Sequence, residues 1–287
     1  LDYINVTAGT AAGLGGSVHI VPPMAIEQAY VAPFAAAIKA RLNIPVFVAG
    51  RINQPQIAEQ VLAGGQADMC GMTRAMIADP QMPMKAEAAR FDDIRACVAC
   101  NQACIDHMLR GFPISCIQRP ETGRELEFGE RGSAALPRRI FVAGGGPGGM
   151  KAAAVAAERG HEVTLYEASS SLGGQVKLAQ LLPGRSEFGG IISNLQREME
   201  LAGVKVVTNT AVDRDLLDSL APDAVIIATG ATPYLPEVEG REEAHVVDAW
   251  QVLRGEANVG ANVIITDWRG DWIGLGLAEK FVREGCH

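Results

Sequence analysis

Four cysteines lie within 20 residues of this 287-residue chain, as Cys97-x2-Cys100-x3-Cys104-x11-Cys116. Thiolates are soft, anionic ligands that suit iron and zinc. Three of them within eight residues on a tight loop, with a fourth carried back by a longer one, have the reach to enclose a [4Fe-4S] cubane. A structural zinc ion held by four thiolates is the other chemistry this set allows. Zinc sites commonly pair two separated Cys-x2-Cys knuckles, and only Cys97 and Cys100 have that spacing. Unliganded thiols are a third reading. A disulfide scaffold does not suit a chain of this length with 48% apolar residues and no secretory signal pattern. Cys70, inside a predicted strand, reads as a small buried hydrophobe, and Cys286 has no evident role. His107 falls in the cysteine loop, either as a solvated histidine or as a hydrogen-bonding neighbour that tunes a cluster. His19, His161 and His245 have no partner recognisable from spacing.

A second pattern is Gly144-x-Gly146-x-x-Gly149, filled in as Gly144-Gly145-Gly146-Pro147-Gly148-Gly149. Alone such a run is weak. Here it follows a predicted strand, Arg139–Ala143, and opens a predicted helix, Met150–Arg159. An acidic residue, Glu167, ends the next strand 18 residues later. The glycines allow a tight turn and close approach of backbone to a pyrophosphate, and the helix N-terminus presents free N–H groups. Glu167 is placed to accept ribose hydroxyls of an adenosine, which disfavours a 2′-phosphate. Leu172-Gly173-Gly174-Gln175 and Ala228-Thr229-Gly230 resemble segments of the flavoprotein disulfide-reductase fold, where they border FAD.

Two arginines follow predicted strands in the first third of the chain, in Gly50-Arg51 and in Gly71-Met72-Thr73-Arg74. In (β/α)8 enzymes the loops after the last two strands commonly hold a phosphate. Backbone N–H groups and an arginine fork suit the terminal phosphate of FMN; surface arginines at strand ends are the alternative. One segment departs from expectation. Residues 262–274 have the strand–loop–helix order of a second dinucleotide site, but Asp267, Trp268, Asp271 and Trp272 put bulk and negative charge where a pyrophosphate would approach. Tight NAD(P)H binding is not expected there.

The elements that must position these residues read as α/β units. The length suggests about two domains. Aromatics make up 5% of the chain, while 32 glycines suit helices packed on parallel strands with many turns. The formal charge of −8 argues against nucleic-acid and anionic-membrane partners, and no apolar run is long enough to span a bilayer. Predicted strands fall at 4–7, 45–49, 67–71, 139–143, 162–167, 204–207, 224–228 and 262–266. Predicted helices fall at 31–42, 53–63 (Asn53 as N-cap, Pro55 in the first turn), 79–90, 187–202 and 275–283. The run at 45–49 reads as buried on both faces of a parallel sheet. The expected organisation is the last three βα units of a (β/α)8 barrel at 1–94 and a cysteine module at 95–132. A Rossmann-like domain at 137–255 follows, then the start of a second, degenerate nucleotide domain at 256–287. The abrupt strand at Leu1-Asp2-Tyr3-Ile4 and the helix end at Cys286-His287 read as an internal fragment of a longer polypeptide.

In this order, barrel end, cysteine loop and FAD-like domain resemble the iron–sulfur branch of the old yellow enzyme superfamily. That branch includes 2,4-dienoyl-CoA reductase, trimethylamine and histamine dehydrogenases and N-methyl amino-acid demethylases. The resemblance rests on Gly50-Arg51-Ile52, Met72-Thr73-Arg74 with Ala78-Asp79-Pro80, Asp93-Ile94-Arg95-x-Cys97, and Cys100-Asn101-Gln102-x-Cys104. It implies an electron chain: FMN in the barrel, held by Arg51 and Arg74, exchanges hydride with substrate; a [4Fe-4S] cluster passes single electrons; the second domain holds FAD, or ADP in its place. Dienoyl-CoA reductases place a Trp-His pair after the first strand of this segment, but here Gly9 is followed by Thr10-Ala11-Ala12, so that acid is missing. Ser115-Cys116-Ile117-Gln118, Glu121-Thr122-Gly123-Arg124-Glu125 and the 267–272 run look like the demethylase branch. The implied activity is oxidative N-demethylation of a small N-methylated amino acid or amine, with hydride leaving the N-methyl carbon and the iminium hydrolysing to formaldehyde. NAD(P)H-dependent reduction of an activated alkene is the second reading, and an electron-transfer module the third. The implied partners are a small-molecule substrate and an electron-transfer protein, in a cytoplasmic homo-oligomer. No catalytic residue is assigned.

Overall fold

The apolar run at 45–49 becomes the central strand of a three-stranded parallel sheet. In the computed structural model, which describes residues 1–129 and 131–287, β2 (Val46–Ala49) lies between β1 (Ile4–Val6) and β3 (Met69–Gly71). The register pairs Val6 with Val48 and Val48 with Cys70. Parallel neighbours require crossovers, and helices supply them: α1 (Ala32–Lys39) precedes β2 and α2 (Pro55–Ala63) precedes β3. The β2 strand is not buried equally on both faces, as its apolar run suggested. Val46 and Val48 are sealed under Val31, Ala35 and Val61, while Phe47 stays half-buried and stacks on Tyr3 with ring centroids 4.8 Å apart. The period of two along a strand permits this: helices cover one face and only partial cover reaches the other.

Two further boundaries differ from the sequence reading. Asn53 is not an N-cap; Gln54 takes that position in extended conformation and Pro55 sits in the first turn. The expected helix at 79–90 is shorter than predicted, and a helix that the sequence reading did not foresee precedes it. The short helix α3 (Thr73–Ala78) ends before Asp79, and α4 (Met82–Glu87) starts after a turn. Asp79 is buried and makes that turn, accepting the Gln81 N–H at 3.1 Å, the Arg95 N–H at 2.9 Å and Lys85 Nζ at 2.6 Å.

The chain divides into two compact units, residues 1–132 and 133–287. In the second, four parallel strands run in the order β6 (Lys205–Val207), β5 (Glu162–Tyr166), β4 (Arg139–Ala143), β7 (Ala224–Ile227). Crossovers on both sides of β4 place its C-terminal end at a switch in strand order, where doubly wound sheets bind ligands. The helix α5 (Pro147–Glu158) follows β4 directly and buries Met150, Ala153 and Ala154, small enough to seat it closely on the sheet. The helix α6 (Gly189–Ala202) packs alongside, burying Ile191, Leu195 and Met199. The expected strand at 262–266 is absent among the described residues: Val263 N–H donates to His287 O (2.8 Å), and just before the stretch Ala261 O accepts from His287 N–H (2.7 Å), but no ladder forms. Extended apolar residues become a strand only when a neighbour completes the ladder. The helix beyond is longer than expected, α7 (Trp272–Arg283), and buries Leu277 and Phe281 against Leu182. Among the described residues no helix is long and apolar enough to cross a membrane.

Candidate cofactor sites

All four clustered cysteines, Cys97, Cys100, Cys104 and Cys116, line one small cavity in the first unit, together with Arg74 and Ile77. Local structure explains the convergence. Ala99 and Asn101 adopt left-handed backbone, with φ of 48° and 57°. The chain then enters a π-helical turn, Gln102–Asp106, that carries Cys104. Cys116 is brought back by two stitches: the Ser115 N–H donates to Ala103 O at 2.7 Å, and Gln118 Nε2 donates to Ala96 O at 2.8 Å. Burial pushes the thiols of Cys97 and Cys104 above their ordinary value and that of Cys100 up to about 12. His107 does not line this cavity: its Nδ1 lies 3.1 Å from Pro113 O and its ring meets Phe112 edge-on. Cys70 is half-buried in β3, and Cys286 packs near Leu277 and Phe281.

The spacing of the thiols bears on the metal. Four sulfurs around one zinc, at Zn–S of about 2.3 Å, stand roughly 3.8 Å apart. Among the described residues no three histidine, cysteine or acidic side chains are gathered closely enough to hold a single ion. The four thiols converge on one cavity, as a cluster and a zinc site both require. The largely apolar wall suits a cluster, whose charge is delocalised over iron and sulfide.

A second, larger cavity of about 310 Å³, open to solvent, adjoins the first in the same unit, and Arg74, Ile77 and Cys97 line both. Its walls are the loops after β1, β2 and β3 (Thr7-Ala8, Gly50 to Asn53, Gly71 to Arg74) and the segment 19–22. The C-terminal ends of parallel strands are where barrel enzymes build their sites. Of the expected phosphate-binding residues, Gly50, Arg51, Gly71, Met72 and Arg74 all line this cavity. Arg51 is buried, has left-handed backbone (φ 52°) and donates to the Ile26 carbonyl. Arg74 donates to Asn101 Oδ1 at 2.7 Å. Two polar atoms on the cavity wall, His19 Nδ1 and Asn53 Oδ1, are buried without a hydrogen-bond partner. Buried polar atoms are rarely left so, and a polar ligand or water in the cavity would satisfy them. Sequence reasoning passed over both: one was an unpartnered histidine, the other a helix cap.

In the second unit the glycine run meets Glu167. The backbone at Gly144 has φ of 116°, and a Cβ there would stand 2.2 Å from Ala228 O. A Cβ on Gly149 would stand 2.0 Å from Gly144 O. These two glycines close the turn and seat α5 on the sheet. Gly146 differs: a Cβ there would meet nothing nearer than Gly174 Cα at 4.0 Å, leaving open backbone at the helix N-cap, beside Pro147 and Gly148. That is the division of labour a pyrophosphate-binding turn needs. Glu167 Oε2 accepts the Gly145 N–H at 2.7 Å and Oε1 the Ser169 N–H at 2.8 Å. Burial raises the Glu167 carboxyl, but hydrogen bonds from Ser169 and Gly145 and the Lys177 charge outweigh it and hold the group below its ordinary value. The Gly173 N–H donates to Gly145 O at 2.8 Å, which brings Gly174 and Gln175 to the same turn. The Ala228 N–H donates to Ala143 O at 2.8 Å, which places Ala228, Thr229 and Gly230 at the end of β7.

The 267–272 loop is closed on itself. Asp267 Oδ1 accepts the N–H groups of Arg269 and Gly270 at 2.9 and 3.0 Å, and Asp271 caps α7 through the Ile273 N–H at 2.9 Å. Trp272 is held between Phe188 and the Arg185 guanidinium. Carboxylates therefore take the donors that a pyrophosphate would need.

Comparison with known proteins agrees with this division. Residues 19–93 match the NADH:flavin oxidoreductase / NADH oxidase family and residues 138–264 match the pyridine nucleotide-disulphide oxidoreductase family. The N,N-dimethylglycine/sarcosine dehydrogenase of Chromohalobacter salexigens is 37% identical over all of this chain and 42% of its own length. A probable N-methylproline demethylase of Rhizobium meliloti is 38% identical, also over all of this chain and 42% of its own length. The solved complex of 2-naphthoyl-CoA reductase with 2-naphthoyl-CoA superposes on the whole chain with a TM-score of 0.90 at 31% identity, using 43% of that chain. The chain belongs to the old yellow enzyme superfamily. It spans less than half the length of these relatives. Within the superfamily its α/β architecture is that of TIM-barrel flavoenzymes carrying a pyridine nucleotide-disulphide oxidoreductase domain.

Proposed function

We propose that this chain is the electron-transferring portion of an iron–sulfur flavin oxidoreductase that oxidatively demethylates a small N-methylated amino acid or amine. The observation that carries this reading is the shared wall of the two cavities in the first unit. Arg74, Ile77 and Cys97 line both the four-thiol cavity and the larger one. When bound, FMN would supply a two-electron acceptor and the cluster a one-electron carrier. Cys97, Cys100, Cys104 and Cys116 would ligate the cluster. Gly50, Arg51, Gly71, Met72 and Arg74 would hold the FMN. In the second unit, the turn from Gly144 to Gly149 with Glu167, Gly174, Gln175 and Ala228 to Gly230 would hold FAD, or ADP in its place.

Two observations favour demethylation over NAD(P)H-driven reduction. The Asp267 carboxylate fills the 267–270 turn and adds charge where a reduced nicotinamide dinucleotide would have to bind. The names of two relatives that match over all of this chain, and over 42% of their own length, also point to N-methyl amino acids. Electrons taken from the substrate would then leave to a partner protein, from an enzyme working as a homo-oligomer. The test is formaldehyde release by the full-length protein with dimethylglycine or N-methylproline and an artificial electron acceptor. Formaldehyde stoichiometric with reduced acceptor supports the reading. No formaldehyde, with brisk NAD(P)H-dependent reduction of an enoyl-CoA, would overturn it.

A further inference from the structure

Asn53 connects the wall of the larger cavity to the cysteine loop. Its side chain is 5% exposed and lines the larger cavity. Its Nδ2 donates to the carbonyl oxygen of Cys97 at 2.7 Å. A carbonyl oxygen only accepts, so this bond fixes the amide's orientation. It leaves Oδ1 as the free end, and Oδ1 is buried without a partner. An unsatisfied buried acceptor costs stability comparable to a lost hydrogen bond, so the site calls for a donor from the cavity side. His19 Nδ1, on the wall of the same cavity, is in the same state. Its ring is set against Tyr30, whose hydroxyl donates to the His19 carbonyl at 2.7 Å.

We infer that Asn53 is a positioning residue that couples flavin binding to the cluster loop. Its N–H group holds the backbone of the first cysteine, and its Oδ1 receives a hydrogen-bond donor of the flavin, the ring N3–H or a ribityl hydroxyl. The inference rests on the proposed function. A flavin that satisfies Oδ1 fixes the Asn53 side chain, and the fixed side chain holds Cys97 in place. Free energy put into one site thus appears in the other, and the coupling is reciprocal. A second bond anchors the cysteine loop from another segment: the Met24 N–H donates to Ala99 O at 3.0 Å.

Two variants of the full-length holoenzyme separate the two arms of the amide. Asn53→Leu removes both. Asn53→Asp keeps an acceptor toward the cavity but replaces the donor with an oxygen that repels the Cys97 carbonyl. FMN affinity is read by quenching of flavin fluorescence, and cluster stability by the rate at which visible absorbance bleaches in air, with and without FMN. In the wild type, FMN slows bleaching. Asn53→Leu is expected to weaken FMN on the order of tenfold and to bleach like the flavin-free wild type. Asn53→Asp is expected to bind FMN within about threefold of wild type while FMN no longer slows its bleaching. If Asn53→Leu does not fold, Asn53→Asp alone carries the test. Variants that match the wild type in both measurements overturn the inference while the proposed function stands. A wild type that binds neither FMN nor iron overturns both.

Discussion

The Arg74 guanidinium donates to Asn101 Oδ1 at 2.7 Å, and Asn101 Nδ2 donates in turn to the Val21 carbonyl at 2.8 Å. One arginine on the loop after β3 thus holds a residue between the second and third clustered cysteines, which is itself tied to the wall of the larger cavity. Arg74→Gln should therefore loosen two things at once. We expect FMN affinity to fall on the order of tenfold, from loss of a charge-assisted contact. We also expect iron content after gel filtration to fall with it. Arg74→Lys should restore only part of either, because an ammonium cannot reproduce the planar fork. Unchanged iron content in Arg74→Gln would confine the residue to the flavin.

The cysteines divide into two groups whose substitution should differ. Cys100→Ser or Cys116→Ser in the anaerobically purified full-length protein should remove most of the iron and acid-labile sulfide, which we expect near four each per chain in the wild type. Cys70→Ser and Cys286→Ser should leave both unchanged, since neither residue lines the four-thiol cavity. About one zinc per chain without sulfide would reject the cluster.

The metal-free protein should respond to alkali. Burial holds the Cys100 thiol up to about 12 and raises those of Cys97 and Cys104. A folded-state value above the unfolded one means the native state keeps its proton longer. The contribution is therefore fully present below about pH 8.5, the unfolded value, and is lost as pH rises toward the folded one. Thermal melts of metal-free protein should fall between pH 8.5 and 10.5, by at most about 1.4 kcal/mol per pH unit for each such thiol. Cys100→Ala should flatten that slope, and so should loading the cluster. A slope indifferent to both would show that the thiols are not buried in solution.

Glu167 makes the opposite sign testable. Its carboxyl lies below its ordinary value, so its contribution is present above the unfolded value of about 4.3 and is lost as pH falls through the lower folded value. Glu167→Gln replaces one of two acceptors with a donor facing the Gly145 or Ser169 N–H. The melting temperature should fall by about 2–4 °C at pH 7, the effect of one lost hydrogen bond, and the gap to wild type should narrow as pH falls through the lowered folded value. ADP affinity should weaken several-fold, measured by calorimetry. A gap that persists at pH 3 would trace the loss to packing instead of charge.

The cysteine spacing, the glycine turn with its distant acid, and the arginines after two strands were legible because each is a local pattern whose chemistry depends on residue type. The turn at Asp79 was not, because the three groups it joins (Gln81, Lys85 and Arg95) are spread over 15 residues and meet only in the fold. The expected strand at 262–266 failed for a related reason: apolar β-branched residues state a preference, and ladder partners decide the outcome. Asn53 shows the limit most directly. Its position before Pro55 made it read as a cap, whereas its side chain is engaged 44 residues away, at Cys97. Only tertiary structure reveals that kind of pairing.

Ala99 and Asn101 hold left-handed backbone on either side of Cys100, and neither is glycine. Each costs the chain roughly 1–2 kcal/mol, offset by anchors such as the bond from Met24 N–H to Ala99 O. The bend is thus made when the polypeptide folds. In the proposed holoenzyme, cluster assembly would meet a loop already bent, with its backbone needing no rearrangement at Ala99 or Asn101.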